Sequence, residues 1–576
     1  MTKLAVDAIT TEVVRYELVS AAEEIKRVFR RTTTIDALYE LNDFGMSIYD
    51  ADVNLIADAP GIPLFAGPLD YCVRSCLRAI GGAERLAPGD VLVNTVPYDI
   101  GSQPIDAALI APVFVDGQIV AYTALKAHMG DLGAKDPYPT DSTDVFQEGL
   151  LLPGIWLYRE GRLVDEVIRL IKQHSRIPFL TATNFIAGAS ALRIGGERVQ
   201  ALAERYGVEG FRTAVSEIIA HGERISRNAL AQIPDGTWEI VDYMDNNGVD
   251  PEPVKIHVKV QTSGGELIVD LSGSAPQQGG PINSPYPGTV AALRYVVKAL
   301  TAPRAPTNEG HFRPLKVIAP PGTLFHPEPP APCFLSGWSR LRLLDLIPAA
   351  LADTIPERVI AVSGSDFNPV IMASFDSAGR GKYVAGGSDA VGLGAAADRD
   401  GQNALFLHAG SGMRNIPCEV REKNPIPVII TRYGLRRDSG GPGRFRGGLG
   451  IEKEFYPLLP VTTISVVDKT SATTTTGVGD GRAGALSDVT FFPGTEREIH
   501  RGKHKAEMER GDRVRLRTAG GAGWGDPFAR DPRSVLEDVL DGYVSRAAAA
   551  SQYGVVVELT EDGMTVDETE TARLRT

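Results

Sequence analysis

Hydrophobic and polar residues alternate along the chain with both helical and strand periods. Apolar positions recur at helical spacing between Val13 and Phe29, which predicts an amphipathic helix over 10–31. Alternation on both sides of an aspartate-rich turn predicts two strands over 44–58. Other N-terminal elements are predicted as helices over 68–81, 163–174 and 196–230, the last broken at Tyr206-Gly207, and strands over 90–94, 107–115 and 119–126.

The pattern changes at Ile233. From there to about residue 275, short alternating stretches separated by Asp-Gly, Asn-Gly and Gly-Gly turns predict antiparallel strands. Helices are predicted over 287–301, 341–352 and 533–548. We therefore predict a multi-domain α+β (mixed α/β) fold. Its N-terminal part, 1–232, is mixed α/β, and its C-terminal part, 233–576, is a β-rich part of antiparallel sheet.

Charge and composition exclude several classes of function. The chain has 59 lysines and arginines against 72 aspartates and glutamates, which gives a formal net charge of −13. This negative charge argues against nucleic acid as a partner. No run of roughly 18 apolar residues is present, so no membrane span is expected. The chain has only four cysteines, which indicates reduced thiols and a cytoplasmic protein. Cys72 and Cys76 lie one helical turn apart on an apolar face, and core packing is favoured over metal binding.

The segment Arg436–Gly450 reads RRDSGGPGRFRGGLG and has a glycine density that no helix or ordinary strand interior tolerates. We interpret it as a tight structural loop whose arginines pair with nearby carboxylates. It matches neither the phosphate-binding G-x-x-x-x-G-K-[ST] motif nor the dinucleotide fingerprint, and the chain has no G-x-S-x-G nucleophile elbow. If the reaction uses ATP, another subunit is therefore expected to bind it.

Several blocks in the same order carry a resemblance to a known family. Besides Arg436–Gly450, they are Glu40-Leu41-Asn42-Asp43-Phe44, IPDGTWEIVDYMDNNG (233–248), VDLSGSAPQQGGPIN (269–283), TNEGHFRPLKVIAPPGTLFHPEPPAP (307–332) and GDRVRLRTAGGAGWGDPFARDPRSVLEDVLDGYVS (511–545). The chain resembles the hydantoinase B family over nearly its whole length. Relatives in that family include the B half of ATP-dependent 5-oxoprolinases, lactamases, and the large subunits of acetone and acetophenone carboxylases.

The resemblance implies a divalent metal site and names its residues. Asp43, Asp106 and His128 correspond to the metal ligands, and Asp131 is a candidate partner of His128 or catalytic base. Gln103 replaces the histidine of the family's His-x-x-Asp. Three interpretations stay open. Gln103 could be a weak neutral ligand in an oxygen-rich site that favours Mn or Mg over Zn. The metal could be lost, or Asp43 could cap a turn and His128 be a core histidine.

For function, the resemblance implies a B-type subunit of an ATP-dependent cyclic-amide hydrolase of the hydantoinase/oxoprolinase type. A hydantoinase A-like subunit would bind ATP and phosphorylate the small-molecule substrate within a hetero-oligomer. The alternatives are a subunit of an ATP-dependent ketone carboxylase, in which an enol phosphate attacks carbon dioxide, and a metal-free scaffold subunit.

Overall fold

The computed structural model describes residues 7–375, 381–405, 418–419, 427–471, 477–561 and 563–576. Its fold is α+β, with helices packed on several separate sheets. The N-terminal helices are α1 Ala8–Thr32, α2 Asp36–Tyr39, α3 Pro63–Ala66, α4 Leu69–Ile80, α5 Pro97–Ile100, α6 Asp165–His174, α7 Pro178–Tyr206 and α8 Val208–Leu230. The N-terminal strands are β1 Phe44–Asp50, β2 Leu55–Pro60, β3 Val91–Asn94, β4 Asp106–Val115, β5 Gln118–His128, β6 Pro153–Arg159 and β7 Arg162–Leu163.

These seven strands form one antiparallel sheet in the order β2-β1-β5-β4-β3-β6-β7. Helices α1 and α7 cover one face, where Leu109 and Leu125 belong to the same apolar cluster as Phe29 and Phe185. Helix α4 covers the other face. Because β4 and β5 are buried on both faces, their sequences read as nearly continuous apolar runs.

The C-terminal part contains smaller sheets. Its helices are α9 Tyr286–Thr301, α10 Ser336–Ala350, α11 Pro532–Leu540, α12 Arg546–Tyr553 and α13 Glu568–Arg575. Its strands are β8 Gly236–Met244, β9 Val254–Ser263, β10 Glu266–Asp270, β11 Leu315–Ile318, β12 Val370–Phe375, β13 Gly381–Gly387, β14 Val428–Leu435, β15 Ile451–Pro457, β16 Val461–Val466, β17 Asp488–Phe491, β18 Ile499–His500, β19 Lys503–Met508, β20 Val514–Arg517, β21 Val557–Thr560 and β22 Gly563–Val566. Among these described strands, the β10–β11 pair is parallel and the other paired strands are antiparallel.

The two parts of the chain are tied together by a buried ion pair. Arg294 on α9 contacts both carboxylate oxygens of Asp70 on α4, at 2.9 and 3.1 Å. The predicted boundary near 232 falls in the connection between α8 and β8. Whether each part is a domain that folds alone stays a prediction.

Most predicted elements are confirmed within a few residues, and two are wrong. Helix α7 begins at Pro178 instead of 196. Its first half has little polar periodicity, because exposed positions there are occupied by the apolar residues Phe179, Leu180 and Ile186. The single helix predicted over 533–548 is two helices. Gly542, with φ +76°, follows the end of α11, and the Ser545 side chain accepts a hydrogen bond from Ala548 at the start of α12.

The glycine-rich segment Arg436–Gly450 is a structural loop, as predicted. It packs backbone to backbone against a second glycine segment, so that a methyl group on Gly447 would lie 1.9 Å from the carbonyl oxygen of Gly521. Arg446 pairs with Asp538 at 3.2 Å, whereas Arg436 donates to backbone carbonyls. Glycine is required here because two backbones approach more closely than any side chain allows.

Cysteine and membrane predictions can be checked on the same structure. Cys72, Cys76 and Cys333 are buried thiols outside any disulfide, which confirms the core interpretation of the first two. Over the ranges described above, no helix combines the length and apolar character that a membrane crossing requires.

Two neighbouring glycines of α7 give a matched stability test. A methyl group at Gly195 would lie 2.1 Å from Cγ1 of Ile25 on α1, whereas at Gly196 the nearest atom is Cγ2 of Val113 at 3.5 Å. We expect Gly195→Ala to lower stability by about 1–3 kcal/mol through overpacking. Gly196→Ala should raise it by about 0.5–1 kcal/mol through helix propensity. Thermal unfolding midpoints measure both, and shifts of the same sign would contradict this packing.

Candidate functional site

The strand register brings three of the residues singled out in the sequence to one end of the main sheet. Asp106 is the first residue of β4 and His128 the last of β5, and their Cα atoms are partners across the ladder. The backbone N–H of His128 donates to the carbonyl of Asp43, just before β1, at 3.1 Å. The sheet therefore fixes the positions of Asp43, Asp106 and His128.

Their side chains form a hydrogen-bonded cluster. Nδ1 of His128 lies 3.2 Å from Oδ1 of Asp106 and 3.8 Å from Oδ2 of Asp43. Gln103 joins them, because its Nε2 lies 3.2 Å from Asp106 Oδ1 and 3.3 Å from His128 Nδ1. The Tyr138 hydroxyl donates to Oε1 of Gln103 at 3.4 Å, which orients the amide with its nitrogen toward the cluster.

Asp131 lies in the wall of the same pocket but is held by other groups. Its carboxylate accepts a 2.7 Å hydrogen bond from Nη1 of Arg176 and a 3.1 Å bond from the backbone of Gly133. His128 has Asp106 and Asp43 as its neighbours, so the structure assigns it a different carboxylate partner from the one expected from sequence. A catalytic role for Asp131 stays a prediction.

The cluster opens into a cavity of about 200 Å³. Its walls are mainly apolar and come from both parts of the chain, including Ile62, Phe65, Ile105, Ile177, Trp338 and Phe367. An apolar cavity with a few convergent polar groups is typical of a site for a small organic molecule.

Burial changes the proton affinities of the cluster. Desolvation raises the pKa of Asp43 to about 7, with Asp106 adding to the rise and His128 opposing it. Burial alone would lower the pKa of His128, but the hydrogen bond to Asp106 and the charge of Asp43 outweigh it and raise that pKa. Asp43 keeps 21 % side-chain exposure and Asp106 only 1 %. Asp43 can therefore gain or lose a proton near neutral pH.

Two buried cations lie beside the cluster, and the sequence reasoning missed both. Desolvation lowers the pKa of Lys126 to about 7, and its Nζ donates to the carbonyl of Ile100 at 2.9 Å. Arg340 lines the cavity with 4 % exposure. The sequence feature that could have identified them is a basic residue within an apolar stretch, YTALKAH for Lys126 and WSRLRLL for Arg340. Buried charges in such stretches are retained with polar or charged partners.

A family model described as hydantoinase B/oxoprolinase matches residues 7–527. The chain belongs to the hydantoinase B/oxoprolinase family. Its relatives in this family include the caprolactamase subunit beta of Pseudomonas jessenii, which is 30 % identical over 96 % of this chain and 97 % of that protein.

Solved structures share the fold over the whole chain. The crystal structure of the ATP-dependent caprolactamase from Pseudomonas jessenii superposes with a TM-score of 0.90 at 27 % identity, covering 99 % of this chain and 100 % of that one. A nucleotide-free acetone carboxylase superposes with a TM-score of 0.89 at 18 % identity, covering 99 % of this chain and 82 % of that one. The second likeness shows the fold alone.

The residues of this family member do not fit the divalent metal expected from the resemblance. Within the part of the chain that the structure describes, no three His, Cys, Asp or Glu side chains are arranged to hold a metal ion. The donor chemistry gives the reason, because Gln103 directs its amide nitrogen toward the cluster. An amide nitrogen donates hydrogen bonds and has no lone pair for a metal, so Gln103 supplies no ligand in place of the histidine expected there.

Metal analysis tests this disagreement. We expect the purified chain to hold less than about 0.1 equivalent of Mn or Zn after incubation and desalting. Gln103→His restores an imidazole donor and should raise Mn or Zn occupancy toward one equivalent. The matched control is Gln147→His, at a partly exposed position outside the cavity lining. Stoichiometric metal in the unchanged chain would contradict the hydrogen-bonded assignment.

Proposed function

We propose that this chain is the B-type subunit of an ATP-dependent cyclic-amide hydrolase and acts on a substrate phosphorylated by a hydantoinase A-like partner. The end-to-end similarity to the caprolactamase subunit beta carries the proposal, because it spans 96 % of this chain and 97 % of that protein. The acetone carboxylase likeness, at 18 % identity, supports no choice of reaction.

The division of labour has a chemical reason. An amide carbon is a poor electrophile, and phosphorylation of the amide oxygen activates that carbon for attack by water. The sequence of this chain has no phosphate-binding loop of the P-loop type, so the ATP-binding role goes to the partner subunit. This chain then supplies the cavity in which the activated ring is hydrolysed.

The cluster at the sheet edge provides the proton transfers. Asp43 accepts a proton from the water that attacks the activated carbon. His128, oriented by Asp106, gives a proton to the ring nitrogen as the carbon–nitrogen bond breaks, which leaves an acyl phosphate. A second water hydrolyses that acyl phosphate to carboxylate and inorganic phosphate. Gln103 holds Asp106 and His128 in place through its amide N–H group.

Turnover by this chain co-purified with its A-type partner tests the reaction. Hydantoins, lactams and small ketones are offered with ATP, and ADP release is measured with and without bicarbonate. We expect ADP release with a cyclic amide at a rate that bicarbonate does not change, because water is the nucleophile. Ketone turnover that requires bicarbonate would instead support a carboxylase subunit.

The pH profile tests the base. Asp43 has a pKa raised to about 7, and only its deprotonated form accepts a proton, so kcat/KM should rise with pH through about 7. Besides desolvation, the pKa of Asp43 responds to the charges of four neighbours, His128, Asp106, Lys126 and Arg340.

Substitution of the base gives a second test. We expect Asp43→Asn to lower kcat about a hundredfold or more and to remove the rising limb of the pH profile. Asp131→Asn serves as the comparison, because it removes the carboxylate that pairs with Arg176 and should keep the limb. If the rising limb of the pH profile is lost in Asp131→Asn and kept in Asp43→Asn, Asp131 is the base instead of Asp43.

A further inference from the structure

The N-terminal end of α10 forms part of the cavity wall. Ser336, Gly337 and Trp338 of its first turn line the cavity, as does Arg340 one turn later. The amides of Ser336 and Trp338 donate to the carbonyls of Cys333 and Leu335, at 3.0 and 3.1 Å, whereas the Gly337 amide forms no such bond within the described part of the chain. The helix dipole adds partial positive charge at this end. No side chain caps this helix through its N-cap residue, Leu335.

Two polar side chains at this end of the cavity are buried and incompletely satisfied. Oγ of Ser336 has no hydrogen-bond partner, and the residue is only 1 % exposed. Arg340 is 4 % exposed; Nη1 donates to the carbonyl of Gly101, whereas Nε has no partner. Buried donors without acceptors are costly, so they indicate a place where a ligand supplies the acceptors.

This part of the cavity carries one basic side chain. Arg340 is the only lysine or arginine among the cavity-lining residues of the described chain. Desolvation lowers the pKa of Arg340 to about 10, although Asp106 and Tyr138 oppose the fall, so the guanidinium stays charged at neutral pH. A helix amide, a hydroxyl and a guanidinium are a combination that binds tetrahedral oxyanions.

We propose that the start of α10 is a phosphoryl-binding subsite in which the Ser336 hydroxyl, the Gly337 amide and Arg340 hold the phosphoryl group of the activated substrate. This assignment rests on the proposed function, because only that reaction brings a phosphoryl group into the cavity. The charges of Asp106 and Asp43 act on Arg340, so a phosphoryl group held by Arg340 places the carbon that it activates beside these carboxylates.

Two sources offer the same chemistry: the phosphorylated substrate and free phosphate released by hydrolysis. Phenyl phosphate stands in for a phosphate monoester with an apolar body, and inorganic phosphate stands for the product. Tighter binding of phenyl phosphate indicates that the apolar cavity and the subsite are occupied together. Equal affinities indicate a subsite that serves free phosphate. Either result supports a phosphoryl subsite, provided that the variants below weaken the binding.

Calorimetric titration of the 576-residue chain with each probe tests the proposal. We expect Arg340→Gln to weaken binding about ten- to a hundredfold and Ser336→Ala by about three- to tenfold, because a charged hydrogen bond is the stronger of the two. Ser339→Ala is the matched control on the same helix. Its hydroxyl donates to the backbone carbonyls of Ile282 and Ser336, and the residue does not line the cavity, so the affinity should change little.

Arg340→Lys covers the case in which Arg340→Gln fails to fold. It keeps the charge, loses the planar fork, and should weaken binding less than Arg340→Gln. Equal losses in Ser336→Ala and Ser339→Ala, or no binding of either phosphate by a folded chain, would overturn the subsite. If a cyclic amide is turned over but neither phosphate binds, the subsite is contradicted and the hydrolase proposal stands. If phosphate binds through Arg340 but no cyclic amide is turned over, the hydrolase proposal is contradicted and the subsite stands.

Discussion

The antiparallel register between β4 and β5 is the constraint on which the site depends. It makes Asp106 and His128 partners at the edge of the sheet, and β1 adds Asp43 through the bond from the His128 backbone. A slip of one residue would turn every side chain of the moved strand to the opposite face. Because both faces of β4 and β5 are packed in apolar clusters, such a slip would exchange side chains between two close-packed cores and disrupt the packing of both. The core therefore fixes the geometry of the cluster.

Contrast between buried and exposed residues explains how much of the fold the sequence predicted. Helix α1 has one face in the core and one in solvent, so its period was visible, and the prediction over 10–31 agrees with Ala8–Thr32. The first half of α7 buries Phe185 but exposes the apolar residues Phe179 and Ile186, so periodicity gave no signal before 196. Local patterns report contrast between core and solvent, and a helix with apolar residues on both faces offers little.

The site was predictable where family motifs carry it and not where distant segments meet. Asp43, Asp106, His128 and Gln103 were all identified from short motifs, and the structure brings them into one cluster. Ser336 and Arg340 join the same cavity from more than 200 positions later in the chain. No local pattern shows that a helix start in the C-terminal part closes a pocket formed by an N-terminal sheet. Long-range packing decides it.

Arg340 and the acidic cluster lie side by side in the cavity, and each stabilises the charged form of the other. Arg340 is buried without a full set of acceptors, a condition that costs several kcal/mol unless nearby charges offset it. Asp106 and Asp43 supply that offset, since both favour the charged form of the arginine. In return, the guanidinium lowers the pKa of Asp43, opposing a desolvation that would keep the carboxyl protonated. Mutual stabilisation of opposite charges therefore explains how a mainly apolar cavity retains these polar groups.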